Sequence, residues 1–343
     1  MPGPRLSLSL PLLLLLGSLL LLGVVALGVS VGEMRIPLPT VVASVGNRLL
    51  GTDYVVGRLQ DGVIWEYRMS RALFAALCGA GLAVSGAVLQ ALLRNPLAEP
   101  FLLGISAGAS AGVVSVVLLG VGGGVLSLSG GAFLGAMLAL AGVALLAAGS
   151  GGGAERIILA GVAGSQLFNA LTSLIVTLAA NAEQARGVMF WLLGNMSGVR
   201  WADVALLAPV VGVGCVLCLL HARRLDAFTF GTDAAAALGV SVLRTRLLLF
   251  ATTAAMTAVT VSVVGSVGFV GLLVPHAARF LVGPTHGRLL PATLVIGAVF
   301  TVGADILSRT LVPNQTVPIG VVTALVGAPA FAVILFRSRR AAS

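Results

Sequence analysis

The sequence predicts an all-α polytopic membrane protein with about ten transmembrane helices. Composition, the length of the apolar runs and the punctuation between them carry that prediction. Of 343 residues, 58% are hydrophobic and 9% charged, and the mean hydropathy is +1.11. A soluble domain carries about 25% charged residues. This chain has too little polar surface to face water, so lipid is its solvent. A span takes roughly 20 apolar residues, which leaves no room for a separate soluble domain. Residues 1–343 therefore read as a single transmembrane domain.

The first run, 7–30, follows the lone Arg5. It exceeds the about 7–15 residues of a secretory h-region and reads as a retained helix. Residues 31–67 carry Glu33, Arg35, Arg48, Asp53, Arg58 and Asp61 and read as an outer loop. The second and third runs, 71–93 and 101–119, flank Arg94-Asn95-Pro96-Leu97-Ala98-Glu99-Pro100. Irregular polar backbone between spans must be sheltered by protein or meet water, so this break serves a pathway or a partner. Runs 131–149, 156–180 and 202–221 follow, then a polar segment 223–240. The last four are 242–263, a short 271–283, 289–309 and 318–336. Gly268, Gly271 and Pro275 interrupt the eighth, and Pro318, Gly320, Gly327 and Pro329 the tenth, around Thr323. Interrupted segments of this kind point to the moving parts of a transporter.

The chain has no lysine. With the N-terminus inside, 12 of its 20 arginines fall on the cytoplasmic side and 8 outside, as the positive-inside rule favours. An even span count returns Arg337, Arg339 and Arg340 to the cytoplasm. Both termini are thus expected there, in a bacterial inner membrane. The net charge of +9 suits the inner membrane face and gives no reason to invoke nucleic acid. Without lysine there can be no Gly-x-x-x-x-Gly-Lys-Ser/Thr phosphate loop, so ATP hydrolysis by that device has to come from a partner.

Gly104, Gly108 and Gly112, and likewise Gly79, Ala83 and Ala87, have small-xxx-small spacing, which lets helices approach closely in lipid. On the fifth run Ser165, Asn169, Thr172, Ser173 and Thr177 share one helical face, flanked by Gln166. Amides in a membrane need partners or water. The stripe is either one wall of a polar path or interhelical bonding inside the bundle. Cys78, Cys215 and Cys218 read as packing residues, since no histidine or acid beside them completes a metal site. His221, His276 and His286 are scattered, and no metal ligand is assigned.

Several strings recur in order between about 65 and 336. They are Arg68-x-x-Arg71, Gly81-Leu82-Ala83-Val84-Ser85-Gly86 with Gln90, the 94–100 string followed by Leu103-Gly104-Ile105-Ser106, and Phe190-Trp191-Leu192-Leu193-Gly194. Then come Ala237-Leu238-Gly239-Val240, Gly268 to His276, Ala304-Asp305, and Pro318 to Ala324 with Gly327-Ala328-Pro329. Together they make the chain resemble the FecCD-type permeases, the membrane subunits of ABC importers for iron–siderophore complexes, haem and cobalamin.

The resemblance implies the ABC type II importer permease fold and a homodimer whose path is lined by the fifth and tenth helices. It also implies two ABC ATPase subunits below, carrying ATP and Mg2+, and a periplasmic or lipid-anchored solute-binding protein above. No cofactor is implied on this chain. Residue by residue, the resemblance assigns binding-protein docking to Arg68, Arg71 and Arg309; within the chain, Arg309 could equally pair with Asp305 four residues back. It assigns ATPase coupling to the 223–240 segment, where Thr232 can cap a short helix containing Asp233, Ala237 and Leu238, with Gly239 ending it. Asn95, Leu97, Ala154 and Glu155 match a cytoplasmic gate. Ser70, Glu155 and Thr316 depart from the usual proline, small hydroxyl residue and glutamate. Phe101 and the 190–194 string favour a ferric siderophore over haem or cobalamin as cargo. The rival from another class is an ion-coupled secondary transporter, which needs ionisable groups at mid-membrane. The acids here cluster near span ends and in loops.

Overall fold

The computed structural model describes residues 9–32, 34–149 and 154–340, with 148, 149, 154 and 334–340 described by backbone alone. Arg5 and Glu33 lie outside the described residues, as do the side chains of Ala154, Arg337, Arg339 and Arg340. The described chain is helical, with one isolated bridge between Val312 and Gln315. In order run α1 (Leu10–Ser30), α2 (Leu38–Leu50), α3 (Arg58–Gly62), α4 (Ser70–Leu92), α5 (Ile105–Leu119), α6 (Leu128–Gly149), α7 (Ala154–Ala179) and α8 (Ala182–Leu192). Then come α9 (Trp201–Leu220), α10 (Ala222–Phe228), α11 (Thr232–Ala237), α12 (Val242–Val264), α13 (Val270–Val282), α14 (His286–Thr310) and α15 (Ile319–Arg340). The ten expected runs correspond to α1, α4, α5, α6, α7, α9, α12, α13, α14 and α15. Among the described residues, seven helices are long and apolar enough to cross a membrane, and Ile105–Leu119, Val270–Val282 and Ile319–Val333 are shorter apolar helices.

The core is built around α4. The apolar window containing it is 83% buried, against 17% for α1, so α4 stands at the centre and α1 at the periphery. Small residues make this possible. A Cβ at Gly79 would stand 2.1 Å from the Gly297 carbonyl oxygen, where α4 crosses α14. On α5, a Cβ at Gly112 would stand 2.0 Å from the Gly131 oxygen of α6. Both small-xxx-small stripes are thus helix–helix contact lines held by close backbone approach. The exposed surface behaves differently. Nothing lies within 4 Å of a Cβ placed on Gly212 of α9. Gly212→Ala should therefore stabilise the protein by about 0.4–1 kcal/mol, visible as a higher melting temperature in detergent; a lower one would show that a neighbour packs there.

Three local departures from the expected elements have physical causes. The third span begins at Ile105 rather than 101, because Pro100–Leu103 form a 3-10 turn and Gly104 takes φ 76°. The preceding break folds back into the bundle, where Ala98, Pro100 and Leu103 are buried. Protein, not water, shelters much of its backbone. Residues 31–67 are not a plain loop. Pro37 and Pro39 open α2, Gly51 at φ 67° closes it, and Val41 packs with Val29, Ile36, Ile64 and Ala72. Pro at a helix start and Gly just past its end is a readable signature. Finally, α4 is entered through a π-helical stretch, Val63–Met69, which turns Arg68 inward.

Candidate translocation, docking and coupling surfaces

At one end of the bundle three arginines and one acid form a network. Asp305, on the last turns of α14, is fully buried. Arg71 Nε lies 2.7 Å from its Oδ1 and Arg309 Nη2 2.9 Å from its Oδ2. Arg71 also reaches the hydroxyls of Ser197 and Ser308. Arg309 donates to the carbonyls of Gly28 and Val31, each at 3.0 Å. Arg68, 8% exposed, donates to the carbonyls of Val29 at 2.9 Å, Ser30 at 3.0 Å and Met34. The last turn of α1 has no basic residue of its own, so its unpaired carbonyls are satisfied by two guanidinium groups from distant segments. The three arginines expected to dock a partner do lie together. Arg68 is buried and Arg71 and Arg309 are half-buried, and Arg68 and Arg309 tie α1 to the rest of the bundle. The Arg309–Asp305 pairing four residues apart is present. Arg68, Arg71 and Arg309 line a cavity of about 330 Å³ with Tyr67, Ser197 and Thr316. On α3, Asp61 accepts from the Ser44 hydroxyl and from Arg48 Nη2, the latter at 2.9 Å.

The expected polar stripe lies on α7, and it splits. Thr172 is buried, Ser165 half-buried, and Gln166, Asn169, Ser173 and Thr177 exposed. The hydroxyls of Thr172, Ser173 and Thr177 donate to carbonyls four residues back, on Phe168, Asn169 and Ser173. They need no partner from another helix, which removes the bundle-internal bonding alternative for those three. Helix α15 exposes Leu325, Val326 and Val333. Its start is anchored by the buried Ile319 and Val322 and by backbone: Ile319 N–H donates to Gly194 at 2.9 Å, Gly320 N–H to Leu193 at 3.1 Å, and Asn195 N–H to Val264 at 2.8 Å. Three chain breaks therefore meet at one joint. Helix α8 just before it was not anticipated, although Asn181 and Gln184 form a reciprocal capping box.

At the opposite end lies α11. Its cap is Gly231 at φ 111°, with Thr232 already the first helical residue and Asp233 in the first turn. The expected threonine cap is thus corrected: only glycine takes that φ without strain. Gly239, at φ 81°, ends α11 as expected. Val240 N–H bonds Ala235 O at 3.0 Å and Gly239 N–H bonds Ala236 O at 2.9 Å, the Schellman pattern. Leu238 is 71% and Phe230 77% exposed, so α11 presents apolar side chains outward. Ala237 is also exposed.

Of the residues matched to a gate, Asn95 accepts the Leu97 N–H on its own side chain at 2.9 Å, and Leu97 is half exposed. Glu155 is exposed in the first turn of α7, where a carboxylate suits the helix dipole; Ala154 begins that helix, but its side chain lies outside the described residues. Arg94 adopts φ 49° where α4 closes, with Asn95 N–H on Gln90 O and Arg94 N–H on Ala91 O. A buried chain of contacts continues from there: Gln90 donates to the Gly271 carbonyl at 3.2 Å and accepts from Arg279 Nη2 at 2.6 Å.

Comparison with known proteins agrees with this arrangement. The cobalamin import permease BtuC of Halobacterium salinarum is 40% identical over 280 residues, covering 80% of this chain and 73% of that protein. The Fe(3+)-citrate import permease YfmE of Bacillus subtilis is 35% identical, covering 96% of each chain. A solved structure assigned to the metal-chelate type of ABC transporter, in an inward-facing conformation, superposes with a TM-score of 0.84 at 30% identity, covering 95% of this chain and 99% of that one. The family model of the FecCD transport family matches residues 3–337, and the chain belongs to that family.

Proposed function

We propose that this chain is the membrane-spanning permease of an ATP-driven importer that carries a ferric siderophore or similar metal chelate inward. The single observation that carries this reading is the division of labour along the bundle axis. A cationic cavity occupies one end, a capped helix with exposed apolar side chains the other, and a polar exposed face of α7 lies between. In this reading two copies pair through α7 and α15, and Ser165, Gln166, Asn169, Thr172, Ser173 and Thr177 mark the path. The α11 end faces the cytoplasm with both termini, and each α11 seats in an ATPase subunit that binds ATP and Mg2+. A solute-binding protein docks over Arg68, Arg71 and Arg309. Two guanidinium groups around one carboxylate leave positive charge at that mouth, which favours acidic partners. Asn95, Leu97, Ala154 and Glu155 sit where a cytoplasmic gate would close.

The relatives that carry cobalamin and ferric citrate leave haem and cobalamin as alternative cargoes. An ion-coupled mechanism is less well supported. Asp305, the acid buried within a long span, is bracketed by two arginines and offers no place for a coupling cation.

The test is Leu238→Asp in the assembled transporter. Truncating an interface anchor costs about 2 kcal/mol or more, so ATPase co-purification should fall roughly 30-fold, and uptake with it. Full co-purification and normal uptake would refute the placement of α11.

A further inference from the structure

The α11 end holds a second cavity, of about 290 Å³, lined among others by Gln90, Arg94, Thr229, Arg279, Pro284 and His286. It forms where the end of α4, the turn between α10 and α11, and the turn between α13 and α14 converge. None of these residues is used by the path, the gate or the docking cluster.

Three nitrogen groups bear on it. Arg94 is exposed, its guanidinium lies beside Gly231, and its side chain makes no hydrogen bond or ion pair among the described residues. It also occupies a left-handed position, φ 49°, where helix ends ordinarily carry glycine. Arg279 uses Nη2 on the Gln90 side-chain oxygen at 2.6 Å. Because the Gln90 amide donates to Gly271, that oxygen is held towards Arg279. His286 is 3% exposed. Its main-chain N–H and its Nδ1 both meet Asp226 Oδ1, at 2.8 and 2.6 Å. A carboxylate only accepts, so Nδ1 carries the proton. Nε2 is buried with no partner. No acid lines the cavity; Asp226, the acid beside it, is engaged by His286.

We propose that this cavity binds a phosphate-class anion, either free phosphate or the phosphate of an anionic lipid headgroup. Arg94 and Arg279 would take its oxygens by charge-assisted hydrogen bonds, and one oxygen would share a proton with His286 Nε2. Basic pockets between helices at a cytoplasmic face suit such headgroups. Bound there, the anion would tie the segment carrying α11 to α4 and α14. The proposal rests on the functional reading above only for the side of the membrane on which the cavity opens.

The experiment uses the purified full chain without ATPase. Inorganic phosphate is titrated in detergent by calorimetry, and phosphatidylglycerol retained from mixed phosphatidylglycerol–phosphatidylcholine nanodiscs is counted by native mass spectrometry. The variants are Arg94→Gly and Arg279→Gln. Glycine suits the left-handed backbone, so Arg94→Gly should fold at least as well as the parent. Phosphate binding weakened at least about tenfold in both variants supports a soluble source. No phosphate binding, but phosphatidylglycerol retained by the parent and lost from both variants, supports a lipid source. Neither ligand binding the parent, or Arg94→Gly binding as well as the parent, overturns the proposal. Normal ATP-driven uptake without anion binding overturns this cavity alone. Anion binding by a chain that recruits no ATPase overturns the functional reading and leaves the cavity standing.

Discussion

Asp305→Ala should destabilise the protein by about 3–5 kcal/mol, the usual cost of removing one partner from a buried ion pair. Asp305 is fully buried and the Arg71 and Arg309 side chains are each 11% exposed. Removing the carboxylate leaves two guanidinium groups near each other, largely out of water and without their counter-charge. The damage extends further, because Arg309 also satisfies the carbonyls of Gly28 and Val31 at the end of α1. The expected readout is a large fall in melting temperature in detergent. A double variant, Arg71→Met with Asp305→Ala, should lose less than the sum of its parts, since it removes one of the unpaired charges. A parent-like melting curve for Asp305→Ala would show that water reaches this cluster. Reversing Arg68 would uncap α1 as well as change surface charge, so that variant should lose thermal stability along with any docking.

Gly86→Ala should be the most damaging single-methyl change on α4. The added Cβ would stand 1.9 Å from the Gly271 carbonyl oxygen, 2.5 Å from its carbon and 2.6 Å from its Cα. Every atom met is backbone, so relief requires moving α13 away from α4. That movement would also strain the Gln90 bond to Gly271 and the contact of Gly271 with Pro100. Overpacking typically costs about 1–3 kcal/mol and occasionally more, and a helix that cannot yield belongs at the upper end. Gly81→Ala on the same helix is the control. Its Cβ would meet Val211 Cγ2 at 3.0 Å, a side chain able to shift. Thermal melts should show Gly86→Ala falling well below Gly81→Ala. Equal losses would mean that helix propensity, not backbone contact, governs both.

Much of this molecule was legible before any coordinates. Runs of apolar residues define the spans because lipid forces each backbone to satisfy itself locally, and that requirement is written in composition alone. The small-residue stripes on α4 and α5 were readable for the same reason, since close approach needs small side chains at fixed spacing. The α7 stripe was readable as a face. Its split, with Thr172 inward and its neighbours outward, depended on which helices pack beside it.

Other features left weaker local signals. Pro39 with Gly51, and Asn181 with Gln184, did announce α2 and α8, but only as short caps inside segments read as loops. The inward turn of Arg68 had no such signal, because a π-helical stretch shifts the face a residue occupies without changing composition.

The sequence by itself determined that this chain lives in lipid, how many times it crosses and which residues allow its helices to touch, because these follow from transfer free energies and side-chain size. Only the tertiary structure decided what its polar groups do. Arg68 and Arg309 meet the end of α1 from 38 and 278 residues away, and Gln90 joins Arg279 across 189. Such partnerships form because a buried charge or carbonyl must find a counterpart somewhere, and where that is depends on the packing of the whole bundle.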